Sequence, residues 1–174
     1  IKGLGHCAFN VKDTEKSIAF YEHSLGLNLY GINKTKDAIK KFGAAVVVEG
    51  EKSVLLSDSY FGEDSYTVAT CGFNISNIQL ELLKKAGADT IYIGFDKDFD
   101  LTKEVEYKKN EEVYDNFVRY RNRLYSLARR VNAKGFKVYL IVDKYNLLGK
   151  KDSPFDKGKD VFEKLLSKSI LYSS

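Results

Sequence analysis

Methionine is absent from all 174 residues, and the first residue, Ile1, is not a start residue. The chain therefore reads as a segment of something longer. Cysteine is scarce: Cys7 and Cys71 are the only two, and they lack C-x-x-C spacing, which argues against both a zinc site and a disulfide scaffold. Buried or idle thiols are expected instead. No long apolar run occurs, and no basic segment precedes a short apolar one, so neither a membrane span nor a signal peptide is indicated. The chain reads as soluble and cytoplasmic. No G-x-x-x-x-G-K-[ST] is present, because Leu148-Gly149-Lys150 lacks the upstream glycine, and a P-loop NTPase is excluded. An excess of either charge is also missing: 28 Lys+Arg against 24 Asp+Glu gives +4, compatible with a nucleic-acid partner without demanding one. The length suits one domain with a core of its own.

What the sequence does contain is an acidic constellation. Glu49 ends the apolar run Ala44-Ala45-Val46-Val47-Val48, and Asp96 and Asp98 end a second run, Ile91-Tyr92-Ile93-Gly94-Phe95. In an extended chain, residues two apart point the same way, so Asp96 and Asp98 face one site while Lys97 faces elsewhere. If the two strands are neighbours, three carboxylates converge. Like charges at such range raise one another's pKa unless a divalent cation compensates them. Oxygen ligands without His or Cys suit Mg²⁺ or Mn²⁺.

Periodicity predicts the elements that carry these acids. Leu29, Ile32, Ile39 and Phe42 recur at helical spacing ahead of Gly43, followed by a strand over 44–48. Val54-Leu55-Leu56 leads into a polar segment from Asp58 to Ser65, then a short strand around 66–70. Ser76 and Gln79 have capping-box spacing, with Leu82, Leu83 and Ala86 as the inward face of a helix ending at Gly87. A strand over 90–95 follows. Val113, Phe117, Tyr120, Leu124, Leu127 and Val131 alternate steps of four and three, which predicts a helix over 111–134 stopped by Gly135. A strand over 137–142 and a helix over 160–167 complete the set. Strands separated by such helices read as parallel β-α-β units, whose ligands gather at the strands' carboxyl ends.

Val47-Val48-Glu49-Gly50-Glu51-Lys52-Ser53-Val54, followed by Ile93-Gly94-Phe95-Asp96-Lys97-Asp98, resembles the TOPRIM domain of bacterial primases, topoisomerases and some nucleases. Asn28-Leu29-Tyr30-Gly31-Ile32-Asn33-Lys34 resembles the lead-in of bacterial and phage primases, and Lys151-Asp152-Ser153-Pro154-Phe155-Asp156 their downstream acidic segment. The resemblance runs from Asn28 to the C-terminus. It implies an α/β fold of the TOPRIM, Rossmann-like kind, a mainly parallel sheet flanked by helices. It also implies the catalytic domain of a phage- or prophage-type DNA primase, in which nucleotidyl transfer makes RNA primers on a DNA template. Glu49, Asp96 and Asp98 would be catalytic and would hold Mg²⁺, with Asp152 as an outer ligand. DNA, ribonucleoside triphosphates, a replicative helicase and a zinc-binding module of the parent protein would be the partners. Two rivals use the same fold: a nuclease or RNA maturase, and a non-catalytic nucleic-acid adaptor.

Residues 1–27 stand apart from 28–174 as an N-terminal βα extension. Gly5-His6-Cys7-Ala8-Phe9-Asn10-Val11-Lys12-Asp13, with Ser17-Ile18-Ala19-Phe20-Tyr21 and Leu25-Gly26-Leu27, resembles the opening β-α unit of glyoxalase-type, vicinal-oxygen-chelate proteins. In that family the His corresponding to His6 is often a metal ligand. Here the resemblance stops after one unit, and His23 is the only other histidine, so the segment is expected to pack on the core through Phe9, Val11, Ile18 and Phe20. Among basic residues, Lys34, Lys36, Arg119 and Arg123 are candidates to contact phosphates, Arg119 and Arg123 lying one helical turn apart. A merely solvated helix face is the alternative.

Overall fold

The computed structural model describes residues 30–173, with side chains from Thr35 onward. Readings that fall on residues 1–29, His6 among them, and on the side chains of Ile32 and Lys34 lie outside the described residues.

Helix α1 (Tyr30–Phe42) ends at Gly43, whose φ of +61° reverses the chain into strand β1 (Ala44–Val48). Helix α2 (Glu51–Phe61) and a 3-10 turn (Gly62–Asp64) lead to β2 (Thr67–Ala69). Helix α3 (Asn77–Lys85) and β3 (Thr90–Ile93) follow, then a one-turn helix α4 (Glu104–Tyr107) and the long α5 (Glu111–Ala133). Strand β4 (Lys137–Leu140), helix α6 (Lys159–Ser167) and β5 (Ile170–Leu171) complete the described chain. The strands lie in the order β2-β1-β3-β4-β5, all parallel except the antiparallel edge strand β5. The expected α/β architecture, a mainly parallel sheet flanked by helices, is what forms.

Both sheet faces are covered, which is why β1 is apolar at every position instead of alternating. Ala45 and Val47 pack toward Ile39 of α1, Leu80 and Leu83 of α3, and Leu124, Leu127 and Val131 of α5. Val46 and Val48 pack on the other face with Phe162 and Leu165 of α6, Phe155, and the α2 side chains Val54 and Tyr60.

Most predicted elements form at or near their expected limits, including the capping box, in which Gln79 N–H donates to Ser76 Oγ and Ser76 N–H to Gln79 Oε1. Helix α2 was not foreseen. Its only fully buried residues are Ser53 and Ser57, with Val54 and Tyr60 partly buried beside them, so no clean apolar stripe marks it. Ser57 instead satisfies itself on neighbouring hydroxyls, 3.0 Å from Ser65 and 2.7 Å from Thr67. Leu82 and Val113, expected to face inward, are exposed because the sheet takes Leu80 and Leu83 of α3, and Phe117 is the first buried residue of α5. Gly50 is the N-cap of α2, with φ of −123° and open space around it.

Close approach occurs at Gly94. A Cβ there would lie 3.3 Å from both Pro154 and Ile141, so the bare backbone is what lets the segment 153–156 seat against the end of β3. Phe155, fully buried beside Phe162 with centroids 4.0 Å apart, anchors that segment. Phe155→Ala is expected to cost about 3–5 kcal/mol, read as a lower urea midpoint with unchanged slope. A loss below about 1 kcal/mol would show that the segment does not depend on this anchor.

Candidate functional site: the carboxyl end of the parallel sheet

Three strand ends deliver acids to one edge. Glu49 directly follows β1, Asp96 lies three residues beyond β3, and Asp143 lies three beyond β4. Parallel pairing continues past the strands, with Gly94 N–H donating to Val47 O at 2.9 Å and Ile141 N–H to Ile93 O at 2.9 Å. The turn 153–156 adds Asp156.

The acids sense one another. Burial first, then the charges of Glu49, Asp156 and Asp98, push the Asp96 carboxyl above its ordinary value, with Lys151 opposing. Tyr120 of α5 lies beside them, its hydroxyl 3.5 Å from Asp96 O. Burial, followed by the charge of Asp98 and those of Glu49 and Asp96, raises its pKa to about 12. A phenol facing three carboxylates stays neutral. Its place on a regular apolar stripe hid this role in the sequence.

The carboxylates are not left uncompensated. Lys151 Nζ lies 2.5 Å from Asp98 Oδ1, and Lys52 Nζ lies 2.8 Å from Asp156 Oδ1. Both lysines come from segments that fold over the strand ends, a juxtaposition that strand patterning does not show. Among the described residues, no three of His, Cys, Asp and Glu stand close enough to form a ready-made metal centre, so the expected convergence is one of edge and field. Asp152, expected as an outer metal ligand, instead accepts from Gly149 N–H at 2.7 Å and pairs with Lys157 at 2.9 Å. It closes a turn, and its side chain is committed there.

Lys97 does face away from its neighbouring aspartates, as the strand period requires, and it turns into the protein. Its ammonium lies 2.7 Å from Asp143 Oδ2 and 2.9 Å from Leu148 O. Asp143 also accepts the N–H groups of Tyr145, Leu147 and Leu148 at 3.1, 3.0 and 2.8 Å. Burial acting alone would raise the Asp143 carboxyl, but Lys97 and the backbone donors outweigh it and hold it below its usual value. Sequence reasoning missed Asp143, since a single acid after a strand carries no spacing signal.

The basic candidates divide. Arg123 stacks over Phe73, 4.2 Å from the ring centre, and Phe73 follows the loop whose Gly72 N–H donates to Glu49 O at 3.1 Å. Arg119 shares that face of α5 and is exposed. Lys36 is exposed on α1 and makes no ion pair with the acids among the described residues.

Two carboxyls here should titrate with opposite consequences. Asp143 is held down in the folded chain, so its stabilisation is complete at neutral pH and is lost as pH falls through the unfolded value of about 3.9 and below. Asp143→Asn is therefore expected to lower stability by about 3 kcal/mol at pH 7, since it strands Lys97, with the gap closing toward pH 3. Asp96 is pushed up, so its charge costs stability above the raised value. Asp96→Asn is expected to leave thermal stability equal or higher at pH 7. Melting curves across this pH range check both signs, and a destabilised Asp96→Asn would show that the repulsion is not felt.

A family model described as Glyoxalase/Bleomycin resistance protein/Dioxygenase superfamily matches residues 3–145. The SPbeta prophage-derived uncharacterized protein YorJ of Bacillus subtilis (strain 168) is 35% identical over 150 residues, 86% of this chain. The chain spans 39% of that relative's length. The crystal structure of the Aquifex aeolicus primase (zinc binding and RNA polymerase domains) matches at a TM-score of 0.55 and 22% identity. That match covers 79% of this chain and 28% of the other, and it is a likeness of fold alone.

These findings correct the expected activity. The family that matches is not a primase family, so primer synthesis by nucleotidyl transfer is set aside, together with the nuclease and adaptor rivals. Acids at the ends of parallel strands are common to many α/β folds, and a shared fold does not transfer an activity. The glyoxalase-type resemblance, expected to stop after one unit, extends much further, although the described sheet contains parallel β-α-β crossovers and no β-α-β-β-β module. By the match over residues 3–145, the chain belongs to the Glyoxalase/Bleomycin resistance protein/Dioxygenase superfamily.

Proposed function

We propose that this chain binds a divalent cation, Mg²⁺ or Mn²⁺, at the carboxyl end of its sheet and uses it to hold an oxyanion-bearing ligand. Glu49, Asp96 and Asp98 would hold the cation, with Asp156 beside them. One observation carries the reading. Asp98 Oδ1 and Asp156 Oδ1 are closed off from solvent and receive no well-aligned hydrogen bond, and what neutralises them is the ends of Lys151 and Lys52. Those lysine side chains are 68% and 76% exposed, so a cation can displace them at little cost in packing. The donor set is all oxygen, which fits a hard cation.

Bound there, such a cation would act as a Lewis acid toward a phosphoryl or carbonyl oxygen. The chain's own groups do the rest. The Lys97 anchor fixes the turn that carries Asp96 and Asp98, Tyr120 keeps one side of the site neutral and dry, and a displaced Lys151 is free to meet the ligand's charge. The superfamily description names glyoxalases, bleomycin resistance proteins and dioxygenases, and so selects neither substrate nor reaction. A finer TOPRIM reading of the sheet belongs to this proposal, supported by the strand order and by the fold likeness. So does the docking of residues 1–27 on the core.

Calorimetric titration with Mn²⁺ tests the site. Binding is expected in the unaltered chain and is expected to be lost in the Asp96→Asn/Asp98→Asn double variant. Lys151→Gln should tighten Mn²⁺ about fivefold by removing a competing charge worth ~1 kcal/mol. Equal affinity in the unaltered and double-variant chains would refute the assignment. The family match supports a second reading, with His6 as a metal ligand. His6→Ala leaves Mn²⁺ stoichiometry unchanged if the acids hold the metal, whereas loss of one equivalent moves the site to the N-terminal segment.

A further inference from the structure

Asp98 also lines a cleft of about 570 Å³, formed by the turn after β3, helix α4 and the loop after β4. That volume is in the range of small-molecule sites. Phe99, Leu147 and Leu148 supply its apolar lining. The Phe99 ring is held by its neighbours, with ring centres 5.4 Å from Tyr107, 6.0 Å from Phe117 and 5.9 Å from Tyr120. It is therefore a preformed flat surface.

The polar lining is unbalanced toward donors. Lys103 and Lys150 line the cleft, and among the described residues neither is in an ion pair, whereas Lys52, Lys97, Lys151 and Lys157 each hold a carboxylate. The Tyr107 hydroxyl accepts Asp100 N–H at 3.1 Å, which leaves its own hydrogen to donate. Asn146 turns its Oδ1 toward Lys97 at 3.4 Å, leaving its amide hydrogens. The two acids in the lining are engaged elsewhere: Asp98 with Lys151, and the buried Asp100 with the N–H and hydroxyl of Thr102 at 2.9 and 2.6 Å.

We propose that this cleft binds an organic phosphate monoester with a planar ring, the ring on Phe99 and Leu147 and the phosphate between Lys103 and Lys150. A phosphate monoester carries close to two charges at neutral pH, which matches two unpaired ammonium groups better than a carboxylate does. The site needs no metal ion, so it stands or falls apart from the acidic site beside it.

The test is calorimetric titration of the whole chain with phenyl phosphate, inorganic phosphate and benzoate, with a chelator present. Phenyl phosphate is expected to bind with a dissociation constant of about 1 mM or below, and the other two about tenfold more weakly. Lys103→Gln/Lys150→Gln, neither at a buried position, should weaken phenyl phosphate about tenfold or more while leaving the melting temperature unchanged. No binding of phenyl phosphate, equal binding by the double variant, or inorganic phosphate binding as tightly as phenyl phosphate would each overturn the proposal. The last outcome would show a bare anion patch.

Discussion

Lys97 and Asp143, 2.7 Å apart and almost withdrawn from water, tie together the ends of β3 and β4. Their desolvation is expensive, and it is met by direct contact plus three backbone donors to Asp143 and one carbonyl acceptor for Lys97. The main chain of Lys97 adds a further tie. Its N–H donates to Asp152 O at 2.9 Å, and its carbonyl accepts from Lys151 N–H at 2.7 Å. One residue thereby fixes the turn bearing Asp96 and Asp98, the loop after β4, and the segment that brings Lys151 to Asp98.

The acidic edge depends on that arrangement. With the D-x-D turn held by its middle residue, the Asp96 carboxylate is presented to the charges of Glu49, Asp156 and Asp98. Burial first, and then that repulsion, raise the Asp96 carboxyl, and exposed lysines compensate the neighbouring charges only loosely. This contrast separates the two kinds of charge pair in the molecule. Lys97 with Asp143 is buried, saturated with hydrogen bonds and structural. Lys151 with Asp98 has a buried acceptor but a solvated, displaceable cation, the arrangement suited to a ligand site.

Family and fold draw on different parts of the chain. The superfamily match includes the N-terminal segment that resembles a glyoxalase-type β-α unit, while the described residues form a parallel sheet like that of the primase structure. The architecture places a site at the strand ends whichever lineage built it, because parallel β-α-β connections leave that edge open to ligands. Chemistry therefore has to be argued from the side chains at that edge.

Apolar runs, periodicity and punctuation located β1, β3, β4, α5 and α6, because each carries a continuous apolar run or a stripe of the right period, bounded by glycine or polar residues. The alternation of side chains likewise separated Lys97 from Asp96 and Asp98. Helix α2 escaped, since its fully buried residues are the serines Ser53 and Ser57, and Ser57 finds its hydroxyl partners only in the folded chain. So did the partners of the acids: Lys52, Lys151 and Asp156 lie far from Asp96 in sequence, and only the crossing of segments 51–61 and 149–157 over the strand ends sets their distances. Which groups stand at strand ends was legible in the sequence, through local backbone geometry. Tertiary structure decided which charges meet and which are buried, because electrostatic energy depends on separation and dielectric surroundings, neither of which exists before the chain has folded.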